Sequence, residues 1–160
     1  MRHIALFAPL AAAAAMASAV HARPAEVTVS IGPRVQQEAE TLGARDLREQ
    51  ADELARTVRD TLAREGALKG ARIDLVLTEL KPNRPTREQV ARTPGLDPIR
   101  SVSIGGAAIE GQVTLSDGRV RPVRYDWFSS SIRDVFGFAT WGDAERAYRY
   151  FANRLASGRI

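Results

Sequence analysis

The residues able to do acid–base or nucleophilic chemistry are few and unevenly placed. Both histidines, His3 and His21, and both methionines, Met1 and Met16, lie in the first 22 positions, and the chain has no cysteine. From Arg23 onward no side chain can serve as an imidazole base, a thiolate nucleophile or a soft metal ligand. That excludes Ser-His-Asp and Cys-His sites, the usual zinc, copper and haem ligand sets and thiol redox chemistry. Ser129-Ser130-Ser131 offers hydroxyls, but a serine needs a neighbouring base. Only Lys69 or Lys81 could serve, so the run reads as a loop. Carboxylates remain. Glu110, Asp117, Asp126 and Asp134 fall in or near one hairpin, and glycoside hydrolysis needs two carboxylates about 5–10 Å apart. The sequence pairs none of the four, and exposed turns account for them equally well. Gly105-Gly106-Ala107 interrupts strand-like sequence, whereas a dinucleotide or phosphate loop opens a helix. No cofactor and no metal is expected.

Two segments are better placed for binding than for catalysis. All nine aromatics after residue 22 fall between Tyr125 and Phe151. Tyr148 and Phe151 read as core. The connection 132–141 carries Phe136, Phe138 and Trp141, and Trp127 lies on the strand before it. An apolar connection either folds over the core or presents a contact patch. The second segment is basic: Lys81, Arg84, Arg87, Arg92 and Arg100 lie between residues 81 and 100, with Arg119, Arg121 and Arg124 further on. Arginine suits phosphate and carboxylate groups, so an anionic envelope component such as a lipid head group or cell-wall polymer would fit. A solvated arginine-rich surface explains the same residues. Of 23 Lys and Arg only Arg2 precedes residue 23, so 22 face 19 Asp and Glu, a modest net charge of +3.

The elements that must position these residues show in the hydrophobic spacing. Val27, Val29 and Ile31 alternate as in a half-buried strand. Leu47, Ala51, Leu54, Val58 and Leu62 form one face of a helix over 44–65, with charges paired along the opposite face. A strand over 71–80 follows. Residues 81–100 hold Pro82, Pro85, Pro94 and Pro98, and Thr86-Arg87-Glu88-Gln89 has capping-box spacing. Val102 and Ile104 read as renewed strand. Asp117-Gly118 between alternating runs predicts a two-residue type I′ hairpin, and Pro122 makes the return strand an edge or a bulge. Thr140 and Asp143 suggest a capping box for a final helix. The order predicts an α+β two-layer sandwich, β-α-β-β-β-α, with a mostly antiparallel sheet and two helices on one face.

The first residues read as an export signal. Met1-Arg2-His3 is basic, Ile4–Val20 is uncharged, and Val20-His21-Ala22 fits a cleavage site. Residues 1–22 are expected to be removed. That leaves one domain over 23–160, periplasmic or secreted, without a lipid-bearing cysteine or a second spanning stretch. Nucleic acid fits the charge but not that compartment.

Gly105-Gly106-Ala107, Glu110-Gly111, Asp117-Gly118, Tyr125-Asp126-Trp127 and Trp141-Gly142-Asp143-Ala144 together resemble small uncharacterised bacterial periplasmic proteins and envelope lipoproteins. The resemblance covers residues 26–156. It implies an α/β fold and an envelope location, and it brings no catalytic residues. The expectation is therefore a non-enzymatic periplasmic domain contacting an envelope component or its own copies, through Trp127, Phe136, Phe138, Trp141, Arg84, Arg87 and Arg92. The rival is a carboxylate-dependent hydrolase acting on cell wall or glycan.

Overall fold

Alternation of apolar and polar residues builds the first strand, β1 (Glu26–Ile31). Two short helices, α1 (Pro33–Gln37) and α2 (Ala39–Leu42), connect β1 to the long helix. The long helix α3 (Ala44–Glu65) then runs over its expected span. These and the later elements come from a computed structural model that describes residues 23–135 and 137–160. The export segment expected at residues 1–22, and Phe136, lie outside the described residues. Leu47, Leu54, Val58 and Leu62 on α3 are all buried, as the four- and three-residue spacing of an apolar helix face requires. Gly66 ends α3 in the left-handed conformation, φ 63°, where a side chain would be strained.

The next strand, β2 (Arg72–Lys81), lies beside β1 and runs parallel to it. The sheet is therefore mixed, not mostly antiparallel. The physical reason is the long helix between the strands. At about 1.5 Å per residue α3 carries the chain back to the end where β1 began, so β2 starts level with β1. Adjacent strands pair antiparallel by default only across a short turn. Ile73, Leu75 and Leu77 are buried on one face of β2; an irregularity between Leu77 and Glu79 then shifts the register, so that Leu80 is buried too.

After β2 comes a short helix, α4 (Arg87–Arg92), opened by the predicted capping box: Thr86 Oγ1 accepts from the Gln89 N–H, and Gln89 Oε1 accepts from the Thr86 N–H. Residues 101–105 are not strand. Their backbone is diverted, because the Ser103 N–H donates to the Asn83 carbonyl at 2.9 Å. Strand β3 (Gly106–Thr114) starts one residue after the bend. A Cβ at Gly105 would sit 2.6 Å from the Asn83 side chain, and one at Gly106 would sit 2.3 Å from the Trp127 carbonyl oxygen, so both glycines permit a close approach.

β3 pairs antiparallel with β2 and with the edge strand β4 (Val120–Phe128), giving the order β1-β2-β3-β4. Pro122 sits on that edge, where its missing N–H is tolerated. The hairpin is longer than the type I′ turn expected. Leu115 and Arg119 still bond to each other, the Gly118 N–H turns back to the Leu115 carbonyl, and only Gly118 takes a positive φ, 84°. A 3₁₀ turn at Ile132–Asp134 leads to the last helix, α5 (Gly142–Ala156). The capping box expected there does not form. Trp141 is the N-cap, without a side-chain cap bond, because the Asp143 carboxylate is drawn inward. α3 packs on β1 and on α5, and α5 packs on β3 and β4. The buried face of α5 supplies Ala144, Ala147, Tyr148, Phe151 and Leu155.

Candidate functional site

Three segments meet at one end of the fold: residues 82–86 after β2, residues 96–105 before β3, and residues 129–135 and 137–143 leading from β4 into the start of α5. What holds them is a buried polar knot. Asn83 and Asp143 are 1% and 2% exposed, and Ser129 is 4% exposed. The Asp143 carboxylate accepts from the Asn83 amide and the Ser129 hydroxyl. Its backbone N–H donates to Asn83 Oδ1 at 2.7 Å, and Arg146 lies 3.5 Å away, one turn along α5. The Asn83 N–H reaches the Thr140 carbonyl at 2.7 Å. Every buried partner is satisfied, so the knot is a brace. Nothing in the apolar periodicity announces it, since it joins polar residues 60 positions apart; Gly105, which makes room for Asn83, is its one trace in the sequence.

Beside the knot is a groove of about 850 Å³, lined by the start of α3, by α4 and by the 138–141 segment. Such a volume is typical of ligand sites. Trp141 forms part of its wall and is 8% exposed, whereas Phe138 projects with 77% of its surface open. Pro85, Pro98 and Val90 add apolar surface, and Arg45, Arg87, Asp46, Glu49 and Glu88 supply charges of both signs. Burial, helped by the charges of Glu49 and Glu88, raises the Asp46 carboxyl above its usual range, with the Trp141 indole counteracting. Acidic charge is thus crowded on one wall, although Arg45 pairs with Glu49 at 2.7 Å.

The residues singled out in the sequence do not form one site. Phe138, Trp141 and Arg87 meet at the groove. Trp127 does not: it is half-buried, edge-on to Tyr150 at 5.5 Å, with the Arg146 guanidinium 5.5 Å from its ring. Arg92 is outside the groove lining and lies 4.0 Å from Glu40. Arg84 is buried, with its guanidinium 5.1 Å from the Phe138 ring. The basic residues therefore disperse: Arg119 pairs with Asp117, Arg124 with Glu110, and Arg121 bonds the Ile160 carbonyl. Helical and strand geometry separates neighbours in sequence onto different faces.

Of the four acids, Asp117 stays on its turn with Arg119, and Asp134 accepts from Ser130 at 2.9 Å. Glu110 and Asp126 line one shallow depression of about 260 Å³ with Glu79 and Arg124. Both are open to solvent, and Glu110 is 3.4 Å from Arg124. Among the described residues no group of three or more His, Asp or Glu side chains is placed to hold a metal ion, and no helix is long and apolar enough to cross a membrane. Deep in the core, burial pushes the Tyr148 hydroxyl far up, and it bonds Gln50 Oε1 at 3.2 Å.

No protein-family model matches the chain, and no curated protein matches it.

Proposed function

We propose that the protein is a non-enzymatic periplasmic domain, released by removal of residues 1–22, that holds an extended segment of another envelope protein in the groove between α3, α4 and the 138–141 segment. We infer a two-layer build, with α3 and α5 side by side on the face of the sheet that carries Ile73, Leu75 and Leu77. The observation that carries the functional reading is Phe138: a large aromatic side chain, 77% exposed, at the rim of a preformed 850 Å³ groove. Apart from the Arg84 guanidinium 5.1 Å from its ring, this side chain gains little from folding, but it gains from a partner that covers it. The prolines and Trp141 favour an extended chain over a compact ligand. The crowding of Asp46, Glu49 and Glu88 favours a basic residue in that chain, whose charge relieves like-charge repulsion on the acidic wall.

Crosslinking in cells followed by mass spectrometry tests this. Phe138→Ala is expected to abolish capture of the partner, and Glu88→Lys to weaken it, while the melting temperature of each variant stays close to that of the parent. Unchanged capture by Phe138→Ala rejects the groove. Self-association is the same reading with a second copy as partner, and it predicts that Phe138→Ala converts a dimer to a monomer on sedimentation. A carboxylate hydrolase retains one supporting observation, the shared depression of Glu110 and Asp126. Glycan-cleaving activity lost in both Glu110→Gln and Asp126→Asn would establish it.

A further inference from the structure

Arg84 is the only arginine among the described residues classed as buried, and no carboxylate lies within ion-pair distance of it among them. Its Nη1 donates to the Ile99 carbonyl and its Nη2 to the Gly137 carbonyl at 2.9 Å. Its Nε is buried and makes no hydrogen bond among the described residues. Neutral carbonyls orient a guanidinium but do not offset its charge, and a buried donor without an acceptor is destabilising. Such an exception in an otherwise satisfied interior calls for an explanation.

Next to this side chain is a second cavity, of about 400 Å³, separate from the groove except for a shared wall at Pro85. Its polar lining consists of Arg84, Lys81, Gln89, Ser101 and Ser103. No acidic residue lines it, in contrast to the three in the groove. Gln89 commits its carbonyl oxygen to the Thr86 N–H, which turns its NH₂ away from that bond as a donor. The rest of the lining is apolar: Pro82, Leu96, Val102 and Ile104 among others. The flank over Arg84 is a firm turn, because Asp97 Oδ1 accepts from the N–H groups of Ile99 and Arg100 at 2.7 and 2.8 Å.

We propose that this cavity binds an organic oxyanion, a carboxylate or phosphate monoester with a short apolar tail, with Arg84 as the anion-recognising residue. The oxyanion supplies the counter-charge and gives Nε its acceptor, in the side-on bidentate geometry that a guanidinium offers and an ammonium does not. Because Nε is enclosed, engagement includes a rotation of the guanidinium that exchanges one of its two carbonyl partners for the anion. Lys81, at the cavity wall and shared with Glu79 at 2.8 Å, adds charge at the mouth. Lined by Pro82, Leu96, Val102 and Ile104, the cavity holds the tail. The proposal does not rest on the groove reading: Glu88→Lys tests the groove at a residue outside this cavity's lining, whereas the Phe138 ring lies 5.1 Å from the Arg84 guanidinium.

The test is calorimetric titration of the full chain with hexanoate, hexyl phosphate, inorganic phosphate and hexylammonium at constant ionic strength, followed by the Arg84 Nε–Hε resonance in nitrogen–proton NMR. Hexanoate or hexyl phosphate is expected to bind and to move the Arg84 Hε resonance; preference between them identifies the head group. Inorganic phosphate is expected to bind at least tenfold more weakly, for want of a tail. Arg84→Met is expected to abolish binding, and Ile104→Glu, an exposed position that adds an acid at the mouth, to weaken it at least tenfold with the fold intact. No binding by either tailed anion at about 10 mM, roughly tenfold above a 1 mM Kd, overturns the proposal. So does equal binding of hexylammonium, or an affinity unaltered in Ile104→Glu.

Discussion

Asp143 and Arg84 are both buried charges, 2% and 8% exposed, and both are positioned by the same segments after β2 and before α5. Their surroundings differ. Asp143 has donors on every side: Asn83, Ser129 and, one turn along the helix, Arg146. Arg84 has two carbonyls, an aromatic ring and an Nε with no partner among the described residues. A satisfied buried charge braces the fold, because removing it strands its partners. An unsatisfied one carries a standing cost and is the natural place for a ligand to act. The pairing separates a structural polar cluster from a candidate site more sharply than exposure or residue type does.

The largest expected effect tests the brace. Asp143→Ala strands the Ser129 hydroxyl and one N–H of the Asn83 amide, whose Nδ2 keeps the Ser103 carbonyl at 3.3 Å, and should cost about 3–5 kcal/mol in denaturant unfolding. A loss under about 1 kcal/mol would mean that the knot can rearrange and is not a brace. The contrast with Arg84 comes next. Arg84→Met removes an orphan donor along with two bonds and should cost at most about 1–2 kcal/mol, since a packed apolar replacement of a buried charge is often near neutral. If it destabilises as much as Asp143→Ala, the difference between the two charges disappears. Smaller again is Phe138→Ala, expected within about 0.5 kcal/mol of the parent because the ring is exposed.

The smallest effect concerns the groove's acidic wall. Asp46 holds its proton more tightly in the native state than in the unfolded chain, where it titrates near 3.8. The native state therefore loses stability as pH rises from the unfolded value through the raised native one. Asp46→Asn removes that loss. It should raise the melting temperature slightly at pH 7 and leave it unchanged at about pH 3, below both values. A lower melting temperature at pH 7 would show that the Asp46 carboxylate is stabilising, and that the groove wall is not crowded with like charge.

Local signals survived where one stretch of chain decides the outcome. The apolar face of α3, the alternation of β1, the Thr86–Gln89 capping box and the edge position of Pro122 all depend on spacings of two to four residues, and all are present. Signals failed where a distant residue competes. Val102 and Ile104 alternate like a strand, but Asn83 takes the Ser103 N–H and bends the segment away. Asp143 has the spacing of a cap, yet a carboxylate shared with Asn83 and Ser129 is more completely satisfied than one at an exposed helix end. The candidate site was half legible. Phe138, Trp141 and Arg87 do share a groove, but Arg92 and Trp127 stand elsewhere. The importance of Arg84 lies in its lack of a carboxylate, and no sequence pattern records that.

By itself the sequence determined the residue types and, through short-range periodicity, the elements. After residue 22 there is no imidazole or thiol, so carboxylates, hydroxyls, amides, arginines and the two lysines Lys69 and Lys81 are the polar groups available there. Tertiary structure alone decided that β1 and β2 run parallel, that the arginines disperse over separate faces, and that one of them is buried without an acidic partner. The reason is range. Spacing along the chain fixes which face of an element is apolar, whereas the partners of a buried polar group come from segments up to 60 residues away and are set only when those segments pack.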